Sequence, residues 1–427
     1  MKRKILLLSI LTVNTIYLTG QKESFKDTIS IYFQEIQANT NLYKDLWNLD
    51  LYGPILLVDP NTRRIFANNP DSVGALKQDG KLFTGILPDK INIANTAITW
   101  NGKVWAMIML PLPEKRAERL DLLSHELFHR SQNVLGFPMK NSDNNHLDQK
   151  DGRVYLRLEL EALWQALIAK TITETHNHLA DALFFRKSRY SLFPDAKSSE
   201  NLLELNEGLA TYTGIMMSGR NDSEIIKYFE SKLIGFQNYP TFVRSFAYIT
   251  TPLYGFILGR SDKNWNKQIN NDTNLTDYFL KSFYLSIPDN LPADKLNLYG
   301  FEKINSEETK REQEIKQRIA AFKTIFIEHP HFEIKLEKMN ISFDPRNIMP
   351  LEGYGTVYPD VRVTDNWGIL TVTGGALLST KWDKIILSEP TLINADRVIG
   401  SGWILDLNKG YKVEKNNSDK NYYLRKE

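Results

Sequence analysis

Leu122-Leu123-Ser124-His125-Glu126-Leu127-Phe128-His129 is the stretch on which the reading of this chain turns. It lies inside a helical pattern that runs from Arg116 to Val134, with Leu122, Leu123, Leu127 and Phe128 as an apolar back face. On an α-helix, residues four apart share one face. His125 and His129 therefore offer two imidazole nitrogens to a single point. Zinc takes neutral imidazole at about 2.0–2.1 Å, and a catalytic zinc keeps three protein ligands plus a water. Glu126, beside the first histidine, is placed to take a proton from that water rather than to bind the metal.

Composition narrows what else the chain can use. Its 427 residues contain no cysteine, so disulfides, a cysteine nucleophile and thiolate zinc sites are excluded. Any metal must be held by His, Asp or Glu. The seven histidines are His125, His129, His146, His176, His178, His329 and His331. A net charge of +2 gives no basic footprint, so nucleic acid is not expected as a partner.

The N-terminus reads as an export signal over residues 1–20. Lys2-Arg3-Lys4 precede a mostly apolar run from Ile5 to Val13, and Gly20 is a small residue before cleavage at Gln21. The apolar run is well short of the roughly 20 residues that a spanning helix needs. No second membrane segment follows, so the exported chain is expected to keep no membrane span.

Working outward from the histidine pair, the pattern upstream is β-rich after a first helix over 24–48. Pro54 to Val58 and Arg64 to Ala67 read as one hairpin. Ala97 to Trp100 and Val104 to Leu110 read as a second, about the tight-turn dipeptide Asn101-Gly102. Helical spacing then dominates to residue 329, and short strands with Gly, Asp and Asn turns fill the rest. The expected class is α+β. Residues 21–113 supply a helix and a sheet, 114–329 a helical catalytic region, and 330–427 a small β domain.

A third ligand is needed. Glu207 is the best placed, in Leu205-Asn206-Glu207-Gly208-Leu209-Ala210, where small residues at Gly208, Ala210 and Gly214 permit close helix approach. Glu204, one turn earlier, could ligate instead or brace a histidine. His146 is a weaker alternative in a polar loop, and His176 and His178 read as solvated. Arg157, Glu159 and Glu161 lie among leucines on a long helix. They read as rim ion pairs, or as carboxylates supporting a ligand histidine through its free N–H.

His125-Glu126-x-x-His129 followed by Asn206-Glu207-Gly208-Leu209-Ala210 resembles the gluzincin metallopeptidases. The second piece is similar to the M1 aminopeptidase pattern, in which that glutamate is the third zinc ligand. The resemblance implies a zincin-like domain, a Zn2+ cofactor held by His125, His129 and Glu207, Glu126 as general base, and a peptide or protein substrate. It covers two short helices. The gap between them is far longer than in M1 enzymes, and no Gly-Ala-Met-Glu-Asn segment is present, so aminopeptidase specificity does not carry over.

Stabilising the oxyanion calls for a further donor. Ser245 to Gly255 holds Tyr248 and Tyr254, and the Pro252–Gly255 bend favours Tyr254; Tyr212 is another candidate. The strand before the motif helix suits a sheet edge that an extended peptide could extend. The expected function is thus an exported zinc peptidase. The alternatives are a catalytically silent scaffold of the same fold and a zinc hydrolase of a non-peptide amide or ester.

Overall fold

The computed structural model describes residues 25–89, 91–137, 142–343 and 348–427. The expected export signal over 1–20 lies outside the described residues. The chain is α+β and divides into two compact units, the first ending at Phe301 and the second running Glu302–Glu427. No helix among the described residues is long and apolar enough to cross a membrane.

In the first unit, a helix over residues 25–42 (α1) buries Ile29, Phe33 and Ile36. Six strands follow: β1 (Ile55–Val58), β2 (Arg64–Ala67), β3 (Lys77–Asp79), β4 (Leu82–Ile86), β5 (Thr96–Trp100) and β6 (Lys103–Met109). They form one sheet in the order β3-β4-β2-β1-β6-β5. Both expected hairpins form. At the β5–β6 turn, Asn101 and Gly102 take positive φ of 45° and 79°, the left-handed pair that a tight hairpin of natural twist requires.

One expectation is corrected here. The strand before the motif helix, β6, is not an edge: it pairs with β1 in parallel and with β5 antiparallel. The parallel partner arrives from about 45 residues earlier, and no hairpin pattern reveals it. The sheet edge on this side is β5.

The motif helix, α2 (Arg116–Leu135), ends at Gly136 with φ 83°. The Phe137 N–H donates to the Gln132 carbonyl at 2.8 Å, closing the last turn. Its back face buries Leu120, Leu123, Leu127 and Phe128, and Phe128 packs on Trp47 with ring centroids 5.2 Å apart.

Two long helices come next, α3 (Lys150–Ile168) and α4 (Ile172–Leu192). Thr171 and Glu174 form a reciprocal capping box at the start of α4. Then α5 (Ala196–Leu203) runs into a five-residue π turn, Glu204–Gly208, which continues as α6 (Leu209–Met216). Helices α7 (Asp222–Phe236), α8 (Ala247–Gly259), α9 (Leu275–Ser282) and α10 (Ala293–Leu298) complete the unit.

Two glycines set the spacing. A Cβ at Gly214 would lie 2.7 Å from the Asp121 carbonyl oxygen, so α6 crosses α2 at a distance that only glycine permits. A Cβ at Gly208 would lie 2.6 Å from the Thr251 Cβ, so the π turn presses on α8 rather than on the motif helix.

The second unit begins with the charged helix α11 (Phe301–Lys323) and holds a seven-stranded and a six-stranded sheet. Phe332, Ile334 and Leu387 of one sheet share a core with Val363, Leu370 and Leu405 of the other. On the opposite face of the larger sheet, Val357, Leu377 and Ile386 pack with Phe322 and Phe326. The charged helix therefore belongs with the β unit, because the sheet needs its apolar stripe as cover. The sequence reading places that helix in the catalytic region.

Candidate metal centre

The histidine pair meets a carboxylate from the π turn. His125 Nε2 and His129 Nε2 are 3.0 Å apart. Glu207 Oε2 lies 3.4 Å from His129 Nε2 and 3.7 Å from His125 Nε2. Among the described residues this is the one group of three such side chains whose ligand atoms gather closely enough to hold a metal ion. His129 and Glu207 are buried and His125 is half-buried.

His129 and Glu207 are each held by hydrogen bonds with neighbouring side chains. His129 Nδ1 lies 2.7 Å from Gln132 Oε1. A carboxamide oxygen accepts, so Nδ1 carries a proton and Nε2 is the ring atom turned to the site. The Gln132 amide in turn donates to Asn206 Oδ1 at 3.0 Å. Asn206 neighbours Glu207, so one amide pair links both ligand-bearing segments. Gln132 is three residues past His129 on the same helix face. That spacing is visible in the sequence, but the group behind the histidine is a carboxamide rather than the expected carboxylate.

Glu207 is bracketed by two donors. The Tyr248 hydroxyl donates to Oε2 at 2.7 Å, and Arg244 Nη2 donates to Oε1 at 3.2 Å. The Tyr248 ring stacks parallel to His125, with centroids 6.0 Å apart. Burial pushes the Glu207 carboxyl up, but hydrogen bonds from His125, His129 and Tyr248 outweigh it and hold the group well below the usual carboxylate range. Burial and the neighbouring Glu207 carboxylate push the Tyr248 hydroxyl up, so it stays protonated and remains a donor.

Glu126 is 3% exposed and adjoins the triad electrostatically. Its Oε2 is buried without a hydrogen-bond partner among the described residues. A lone buried carboxylate oxygen is costly, and burial raises this carboxyl against the pull of the two imidazoles. The donor set of two imidazoles and one carboxylate, beside an unused acceptor, suits a divalent ion carrying a water.

The other expected residues lie elsewhere. Tyr254 is corrected: it is fully buried, its hydroxyl donates to Glu159 at 3.2 Å, and its ring stacks on Phe279. Helix α8 runs through Pro252, and Tyr254 faces inward, but into the helical core. Tyr212 is also buried, accepting from the Trp265 indole at 3.1 Å. Tyr248 is the tyrosine at the triad.

Glu204 is engaged away from the site. It accepts from both Arg186 Nη atoms, at 2.8 and 3.1 Å, and from Thr250. Arg186 also binds Glu159 at 2.6 Å, Arg189 lies 2.9 Å from Glu159, and Arg189 donates twice to Glu200 at 2.7 Å. All five charged side chains are fully buried. Glu159 is thus neither a rim residue nor a support for a ligand histidine. Glu161 accepts from Gln165 on its own helix. His146 Nε2 joins the buried network at Glu200, 2.7 Å away, and is no ligand of the triad. His178 is not simply solvated, since its Nδ1 meets the Tyr299 hydroxyl at 2.8 Å.

Compared with models of known protein families, with curated proteins and with solved structures, the chain matches none of them.

Proposed function

We propose that the chain is a zinc-dependent hydrolase that cleaves peptide bonds and acts after export. The observation that carries this reading is the convergence of His125, His129 and Glu207 beside Glu126, whose buried Oε2 has no hydrogen-bond partner among the described residues. Their donor edges of 3.0, 3.4 and 3.7 Å suit zinc. Four ligands at about 2.0–2.1 Å around one ion stand about 3.3–3.4 Å from one another.

Zinc bound there would polarise a substrate carbonyl and lower the pKa of water toward neutrality. Glu126 accepts the proton of the attacking water and returns it to the leaving nitrogen. Burial helps, because a carboxyl raised from its ordinary value is a better match for that second transfer. The Tyr248 O–H donates to Glu207 Oε2 here, and would serve a developing oxyanion by turning from that carboxylate to the substrate oxygen. The motif helix beneath a mixed sheet supports a zincin-like architecture, with β5 as the strand that an extended peptide would join. Peptide as substrate rests on the gluzincin resemblance, and export on the basic-then-apolar N-terminus.

Metal content and turnover test the reading together. Purified protein should hold one zinc per chain and cleave a peptide library. Glu126→Gln should keep the zinc and lose cleavage, whereas Glu207→Ala should lose both. Full zinc in Glu207→Ala would overturn the ligand assignment. Undiminished cleavage in Glu126→Gln would overturn the base. Zinc without cleavage in the native chain would favour a silent scaffold.

A further inference from the structure

Arg244 is the one Lys or Arg that touches the triad among the described residues, and hydrolysis as proposed does not use it. Its Nη2 lies 3.2 Å from Glu207 Oε1, leaving Oε2 to Tyr248 and the imidazoles. The Arg244 side chain is 58% exposed, against 12% for Glu207. Glu207 is its only hydrogen-bond partner among the described residues. A guanidinium carries five N–H donors in a planar fork, so most of this one faces solvent at the mouth of the site.

A structural role accounts poorly for that placement. Exposed ion pairs add little to stability. Glu207 is already anchored through Tyr248 and through its chain neighbour Asn206. The carboxylates nearest the triad are Glu126 and Glu207; Asp121, one turn before His125, is already paired with Arg220 at 2.8 Å. In such a site, one half-free guanidinium decides which substrate charge is welcome. Arginine is suited to this because its fork matches a carboxylate in a two-point pair.

We propose that Arg244 is a receptor for a substrate carboxylate, so that the hydrolase prefers peptides carrying a C-terminal carboxylate or an acidic side chain next to the scissile bond. This rests on the proposed peptidase reading, and binding rather than turnover tests it. Zinc-loaded Glu126→Gln protein would be titrated calorimetrically with N-blocked peptides of one sequence. One pair ends in a free carboxylate or an amide. A second pair is amidated and carries Asp or Asn beside the scissile bond.

At least one acidic member should bind about tenfold tighter than its neutral twin, and the pair that shows the preference identifies the carboxylate. Adding Arg244→Gln should abolish the preference with zinc retained, while Arg244→Lys should keep part of it. Equal binding within both pairs, or a preference that survives Arg244→Gln, overturns the proposal. So does loss of zinc in Arg244→Gln with the binding ratio intact, which would make Arg244 a positioning residue only. Failure of the native chain to hold zinc or to cleave peptide would instead sink the peptidase reading.

Discussion

Glu204 and Glu207 stand three residues apart on one π turn, yet their surroundings are opposite. Glu204 is fully buried and closed in by Arg186 and Thr250. Glu207 is reached by two imidazoles, a phenol and an exposed guanidinium, at the mouth of a site. The first belongs to a sealed network of three glutamates and two arginines, in which carboxylate oxygens and guanidinium edges meet each other. The second leaves two ring nitrogens and a carboxylate oxygen converging on a common point. A buried ion network resists change, because removing one member strands the others in a medium that cannot solvate them. A converging donor set is available to a ligand, and that availability is what distinguishes a site from a scaffold. The residue type is the same; the partners decide the role.

The largest effect should come from breaking the sealed side. Arg186→Met leaves Glu159 and Glu204 facing each other without a bridge. It should cost about 3–5 kcal/mol, read as a lower urea midpoint or as failure to accumulate folded protein. Unchanged stability would mean that the network is not closed as described.

Acid should attack the same side next. Burial pushes the Glu200 carboxyl up, but Arg189 beside it wins and holds it at about 2, below its ordinary 4.5. A carboxyl depressed by folding lends stability that is full above about pH 4.5 and is lost as pH falls toward 2. Glu204, raised by burial, acts in the opposite sense and offsets part of this. The Glu200 share should not exceed about 3 kcal/mol, and Glu200→Gln should reduce the acid loss in unfolding curves between pH 6 and 3 by that share.

The open side should respond in affinity rather than stability. Glu207→Gln should weaken metal binding by more than about 100-fold, beyond the about 10–100-fold typical of a lost supporting group, while the urea midpoint falls less than in Arg186→Met. A large stability loss there would erase the contrast. Smaller again is Gln132→Ala, which removes the acceptor behind His129 and should weaken the metal about 10–100-fold in chelator competition.

Much of this was legible in the chain. His125, Glu126 and His129 follow from helical periodicity alone, and Asn206-Glu207-Gly208 points to the third member. The choice between Glu204 and Glu207 was not legible. On a plain α-helix, residues three apart share a face, and only the π turn, which no residue pattern announces, gives them different partners. The tyrosine went wrong for a similar reason. Inward-facing positions on α8 can reach a core or a site, and spacing does not say which.

Strand order was equally hidden. The run Phe332–Phe343 reads as one strand but splits into His331–Lys335 and Asn340–Phe343, which join different sheets. The run Gly355–Val363 breaks likewise at Pro359-Asp360. Local sequence sets extended conformation, whereas sheet membership is fixed by distant partners.

The amide pair between Gln132 and Asn206 bears on how an ion would enter and leave. It joins the two ligand-bearing helices through neutral groups that need no metal to attract them. Together with the glycine crossing at Gly214, it assembles the seat as the chain folds. Occupancy is then separable from folding, unlike in small domains whose structure is bought with zinc. A chelator should empty this seat without unfolding the protein, and re-addition should refill it without a refolding lag, making the ion a removable guest rather than a pillar of the structure.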